Sequence, residues 1–130
     1  MSQENVETIR AIIDAYNQGD FDWIRETTYP EFVLVPPGGQ APIKGADGVR
    51  EWMEPDAFES QVLEPLEFRV EGNKVLVRTR AQIRGAASGI EIEFLSWAIW
   101  TFTEAGVAVR LEIYGDHEKA QALEAAGLSE

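Results

Sequence analysis

The sequence predicts an α+β fold, and three observations carry that prediction. Near the N-terminus Val6, Ile9, Ile13 and Tyr16 recur at helical spacing, with Ile12 widening the stripe. From Val62 to Tyr114 the chain reads instead as antiparallel strands separated by short turns. Within that run, the stretch from Ile90 to Phe102 stops alternating after Glu93 and is apolar on both faces. A strand with one wet face alternates cleanly, so this one needs cover on two sides. The chain's own helices can supply one cover, and a second copy of the protein can supply the other.

The elements follow in order. Ser2 is placed to cap the first helix, and Gly19 sits where a helix C-terminal glycine belongs. Asp20 can cap a short second helix carrying Phe21 and Ile24. Phe32 to Val35 is a brief β-rich run stopped by Pro36-Pro37-Gly38-Gly39, a loop at the rim of any pocket. A third helix is expected over Ala46 to Met53, burying Val49, Trp52 and Met53 and ended by Pro55.

The strands register against each other. A turn at Gly72-Asn73 sets Glu71 opposite Lys74 and Glu67 opposite Arg78. A turn at Ala87-Ser88 sets Arg84 opposite Glu91 and Gln82 opposite Glu93. The same registers collect Leu66, Phe68, Val70, Val75, Val77, Ala81, Ile83, Ile92 and Phe94 on the other face. Charge pairing and apolar sorting therefore agree. The last hairpin turns within Thr103 to Gly106. With Phe102 facing Ala108, Trp100 faces Arg110, Ala98 faces Glu112 and Ser96 faces Tyr114. A one-residue bulge would reverse the faces of the last strand. Asp116 can cap a final helix that ends at Gly127.

Composition narrows the function classes. At 130 residues the chain is long enough for one domain, 1–130, with a single core. A hydrophobic fraction of 45% argues against disorder. Lys and Arg number 11 against 23 Asp and Glu, a net charge of −12, which argues against nucleic acid and anionic membrane as partners. The absence of cysteine excludes disulfides, a thiol nucleophile and a thiolate metal site. One histidine, His117, among scattered carboxylates makes a metal site unexpected. The glycine-containing stretches lack the strand–turn–helix setting of a phosphate loop, so no nucleotide and no other cofactor is expected. Met1-Ser-Gln-Glu-Asn lacks the basic and apolar regions of a signal peptide, and no apolar run reaches spanning length. A cytoplasmic location is expected.

Several short motifs carry a resemblance. They are Asn17-Gln-Gly19-Asp20 after the first helix, Lys44-Gly45-Ala-Asp-Gly48-Val49 before the third, the Ser88-Gly89 turn, Trp100-Thr-Phe102 closing the long strand, and Tyr114-Gly-Asp116 before the last helix. In this order and spacing they resemble the SnoaL-like branch of the nuclear-transport-factor-2-like superfamily, over almost the whole chain. The resemblance implies a cone-shaped α+β barrel, a curved antiparallel sheet wrapped around N-terminal helices with a pocket inside. It also implies a homodimer formed through the outer sheet face. Members include ketosteroid isomerases, polyketide cyclases, limonene epoxide hydrolases, dehydratases and binding domains, so fold does not settle function.

The resemblance also removes two activities. The catalytic positions of ketosteroid isomerases fall at Ile12, near Pro36 and at Ala98, all apolar here. Two of the three epoxide hydrolase positions fall near Thr79 and Ala81, leaving only Glu112 as a counterpart. Glu112 is therefore the expected acid or base, desolvated beside Trp100 and Ala98, with Arg110 and Tyr114 positioning a substrate. Trp100, Phe94, Ser96, Tyr16 and Trp52 are expected to line the pocket and take a small, largely apolar molecule. Leu95, Trp97, Ile99, Leu111 and Ile113 are expected to form the dimer interface. The expected function is a cofactor-free isomerase, cyclase, hydratase or hydrolase. The alternative is a non-catalytic ligand-binding or dimeric interaction module.

Overall fold

The structure, a computed structural model, describes residues 2–45, 48 and 58–129. Helix α1 (Ser2–Gln18) and helix α2 (Phe21–Thr27) are followed by strands β1 (Val33–Val35), β2 (Ile43–Lys44), β3 (Phe58–Glu71), β4 (Lys74–Gly85), β5 (Glu91–Phe102) and β6 (Ala108–Gly115). A 3-10 turn (Asp116–Glu118) leads into helix α3 (Lys119–Ala126). The helix expected over Ala46 to Met53, with Trp52, lies outside the described residues apart from Gly48.

The apolar stripe of α1 is buried as its spacing requires, with Ile9, Ile12, Ile13 and Tyr16 in the core. Gly19 adopts φ 77°, the left-handed conformation that lets the chain leave the helix. Its N–H donates to the Tyr16 carbonyl at 3.0 Å. The Asp20 carboxylate then accepts from the Trp23 N–H at 3.2 Å and starts α2. Asn17 ties this corner to the edge of the sheet. Its side chain donates to the Leu63 carbonyl and accepts from the Leu63 N–H, both at 2.8 Å, as a neighbouring strand would.

The sheet runs β2-β1-β6-β5-β4-β3 and is curved and unclosed. The strands of the Val62 to Tyr114 segment pair antiparallel, but β1 lies parallel to β6, so the sheet is mixed rather than wholly antiparallel. The two charged hairpin registers hold: Glu71 faces Lys74, Glu67 faces Arg78, Arg84 faces Glu91 and Gln82 faces Glu93. One detail differs. The register shifts between Pro65 and Glu67, so Leu66 leaves the apolar face and is 41% exposed.

The last hairpin takes the bulged alternative. Phe102 faces Ala108, but Thr101 faces Arg110, Trp100 faces Leu111 and Ala98 faces Ile113, which leaves Val109 as the extra residue. Side-chain polarity explains the choice. The bulge sends Leu111 and Ile113 to the inner, apolar side and leaves Arg110 and Glu112 on the outer side. The inner face packs against α1 and α2. The outer face is covered by α3, whose Ala122, Leu123 and Ala126 pack on Leu76, Trp97 and Ile99. The second cover that β5 demands thus comes from this chain's own last helix. Asp116 begins the 3-10 turn rather than capping α3, and the Gly115 N–H donates to Glu118 Oε1 at 2.8 Å. Among the described residues no helix is long and apolar enough to cross a membrane.

Candidate functional site

The inner face of the sheet is small in the middle and large around the edge. Successive cross-strand pairs on β4 and β5 are Val75–Trp100, Val77–Ala98, Thr79–Ser96, Ala81–Phe94 and Ile83–Ile92. On β6, Gly115 faces Ser96 and adds no side chain. Thr79, Ala81, Ser96, Ala98 and Gly115 therefore form a floor that the larger neighbours surround. Ile12, Ile13 and Tyr16 of α1 and Phe21 and Ile24 of α2 form the facing wall. Between floor and wall lies a cavity of about 840 Å³. Aromatic contacts stiffen its lining: Tyr16 meets Phe21 edge-to-face at 5.7 Å, and Phe32 meets Trp100 at 6.3 Å.

Four residues expected at the pocket are there: Tyr16, Phe94, Ser96 and Trp100. Trp52 lies outside the described residues. The expected catalytic group is placed differently. Arg110 and Glu112 do not line the cavity, because the bulge turns them to the outer face. There Arg110 Nε donates to Glu112 Oε1 at 3.0 Å, and the Tyr114 hydroxyl donates to Glu112 Oε2 at 3.1 Å. Tyr114 borders the cavity wall, but its hydroxyl is committed to Glu112. Among the described residues these three side chains form one hydrogen-bonded cluster on the sheet exterior.

The expected dimer patch is also redistributed. Leu111 and Ile113 line the cavity, as does Leu95. Trp97 and Ile99 are buried under α3. Two cations also approach the Trp97 ring, the Arg78 guanidinium at 4.3 Å and the Lys119 ammonium at 5.6 Å from its centre. Arg78 in turn donates to Asp116.

The structure adds residues that the sequence pattern did not single out. Gln61 lines the cavity from β3, two residues before Leu63 on the same face. Its signal was the period-two alternation, extended one residue before Val62. Thr79 lines the floor opposite Ser96, a pairing the hairpin register already implied. Asp116 is the one carboxylate lining the cavity among the described residues, at a position where its side chain is 61% exposed. Among the described residues no group of three His, Asp or Glu side chains is disposed to hold a metal ion.

Two measurements check this assignment. Glu112→Gln weakens two charge-assisted bonds at a side chain only 13% exposed. It should cost stability at the lower end of about 1–3 kcal/mol, because Arg110 is half-exposed and solvent screens the pair. Ligand affinity should not change, and a variant that binds poorly while melting normally would return Glu112 to the pocket. The second concerns alkaline pH. Burial pushes the Tyr114 phenol above its ordinary value of 10.0, and the Glu112 carboxylate pushes it further, against a smaller downward pull from Arg110. A raised folded value contributes stability that is complete below the unfolded value and is lost as pH rises through the folded one. Tyr114→Phe should therefore flatten the fall in melting temperature above pH 10, and an unchanged alkaline limb would contradict this.

The SnoaL-like domain family matches residues 9–111. The chain belongs to this family. No functionally curated protein matches it. A candidate SnoaL-like polyketide cyclase from Jannaschia sp. CCS1 superposes with a TM-score of 0.79 at 19% identity, covering 93% of this chain and 91% of that one. A candidate polyketide cyclase from Sinorhizobium meliloti is 30% identical, with a TM-score of 0.64 and coverage of 82% and 93%. An LEH-like epoxide hydrolase of M. tuberculosis gives a TM-score of 0.74 at 14% identity, covering 96% and 92%. The family match and these superpositions show the SnoaL-like fold, and in this chain the β6 register places Arg110 and Glu112 on the outer face.

Proposed function

We propose that this SnoaL-like protein binds a small, flat, largely apolar molecule in the cone. The observation that carries this is the small-residue floor, Thr79, Ala81, Ser96 and Ala98, facing an aromatic and aliphatic wall across about 840 Å³. That volume suits one drug-sized molecule, and the lining offers burial with few polar groups to fix its orientation. The binding-module reading gains over the Glu112 enzyme reading because Glu112 points away from the cavity. Nile red, a neutral flat dye whose emission rises in apolar surroundings, is the probe. It should saturate at one molecule per chain, and Ala98→Trp should remove that site.

A second reading keeps chemistry in the cone. Its support is Asp116, the cavity-lining carboxylate held by Arg78, together with the candidate cyclases and the epoxide hydrolase among the structural neighbours. On that reading Asp116, not Glu112, takes a proton from the bound molecule without a cofactor.

A further inference from the structure

Two hydroxyls stand at the centre of the cavity floor. Thr79 on β4 and Ser96 on β5 are direct cross-strand partners, so their Cβ atoms lie about 5 Å apart. Both line the cavity, and Thr79 is only 7% exposed. Neither hydroxyl is engaged by another described residue. Their flanks offer nothing either: Pro65 faces Thr79 and has no N–H, and Gly115 faces Ser96 without a side chain.

Both hydroxyls border the cavity rather than being sealed within the core, so each is open to a group that enters it. The fold did not need hydroxyls here for shape. Valine has nearly the volume of threonine, and the same face of β4 already uses Val75 and Val77. The hydroxyls are therefore placed to bond a group that enters the cavity. Of the charged side chains that line the cavity, Arg25 belongs to α2 and Asp116 follows β6, where it pairs with Arg78, so the floor between the two hydroxyls is itself uncharged. Arg78 and Arg80 flank Thr79 in sequence but project from the opposite face, the first to Asp116 and the second towards Glu64. A net charge of −12 also disfavours an anion. Around the pair the floor is apolar, with Ala81 and Phe94 on one side and Ala98 and Trp100 on the other.

We propose that Thr79 and Ser96 form a two-hydroxyl site for one neutral oxygen, a ketone, quinone or hydroxyl group, carried on a flat apolar skeleton. This rests on the cavity being a ligand site. The hydroxyls act as positioning groups: both can donate to a carbonyl oxygen, or one can accept from a ligand hydroxyl. They set the orientation of the molecule, while the surrounding apolar surface provides most of the affinity.

The test uses 9-fluorenone and fluorene, which share a skeleton and differ by the carbonyl oxygen, each displacing Nile red from the intact chain. Thr79→Val with Ser96→Ala should weaken fluorenone roughly tenfold and leave fluorene within about twofold. The variant should melt at or above the wild-type temperature, since it replaces cavity-facing hydroxyls that have no partner among the described residues. Ser96→Ala alone should move fluorenone in the same direction by less. Equal effects on both probes, or on neither, would overturn the proposal while leaving the pocket in place. A lowered melting temperature would also overturn it, by showing that the hydroxyls bond within the protein. Failure of both probes and Nile red to bind the wild type would remove the pocket reading, and this proposal with it.

Discussion

Ala98→Trp is expected to abolish binding of Nile red, weakening it by about a hundredfold or more, roughly 2.7 kcal/mol. Ala98 is 8% exposed and sits on the floor between Val77 and Ile113, next to the Thr79–Ser96 pair. A tryptophan there can place its ring only in the space that the small residues leave open. In a filled core such overpacking costs about 1–3 kcal/mol. Here the cavity absorbs the ring, so the loss of stability should fall at or below the bottom of that range. The two readouts separate cleanly. Thermal melting reports the fold, and the dye reports the cavity. A variant that melts normally and still binds at the wild-type level would exclude the cone as the ligand site. The exposed apolar tip at Ile90 and Ile92 would then be the place where the dye adheres.

Leu123→Asp is expected to destabilise the protein by about 4 kcal/mol or more. Leu123 is 3% exposed and packs on Leu76, Trp97 and Ile99. Helix α3 has eight residues, too few to be stable alone, so it holds its place through this apolar seam and its C-terminal ties. Gly127 closes it with φ 76°, and the Leu128 N–H donates to the Leu123 carbonyl at 2.8 Å. Lys74 donates to the Ala125 carbonyl and Arg69 to that of Ser129, at 3.0 and 3.1 Å. An unpaired carboxylate in the seam would have to leave it, and the helix would leave with it. Trp97 would then meet water, and its emission should shift to the red. The bared surface at Trp97 and Ile99 should also raise the mass in solution, since it is the patch where a second copy was expected. An unchanged melting curve and spectrum would mean that α3 does not carry the outer core.

Which parts of this were legible in advance depends on the range of the interaction. The α1 stripe, the Gly19 stop, the Asp20 cap and both charged hairpins are local patterns, and each appears in the structure as its residues indicate. The inner side of β5 followed from period-two alternation and the hairpin register, so Phe94, Ser96 and Trp100 were read onto the face that lines the cavity. Glu112 was not. Its face depends on one extra residue, Val109, in a short hairpin whose two registers differ by a single step. Alternation cannot decide between them, because β6 reads as polar and apolar residues in turn on either side. The choice is made across the strands, where Leu111 and Ile113 gain apolar neighbours and Arg110 and Glu112 gain water and each other.

The strand from Ile90 to Phe102 shows the same division. Its sequence alone determined that the sheet is covered on both sides over Trp97 to Phe102, where residues on both faces are apolar, although Ile90, Ile92 and Phe94 before it stay exposed. It also determined which residues share the inner face. Only the tertiary structure decided what the covers are: α1 and α2 over a floor too small to fill, and α3 over Leu76, Trp97 and Ile99. The physical reason is that burial is non-directional. A run of apolar residues specifies that water must be excluded, but it does not specify whether a helix, a second chain or a ligand excludes it.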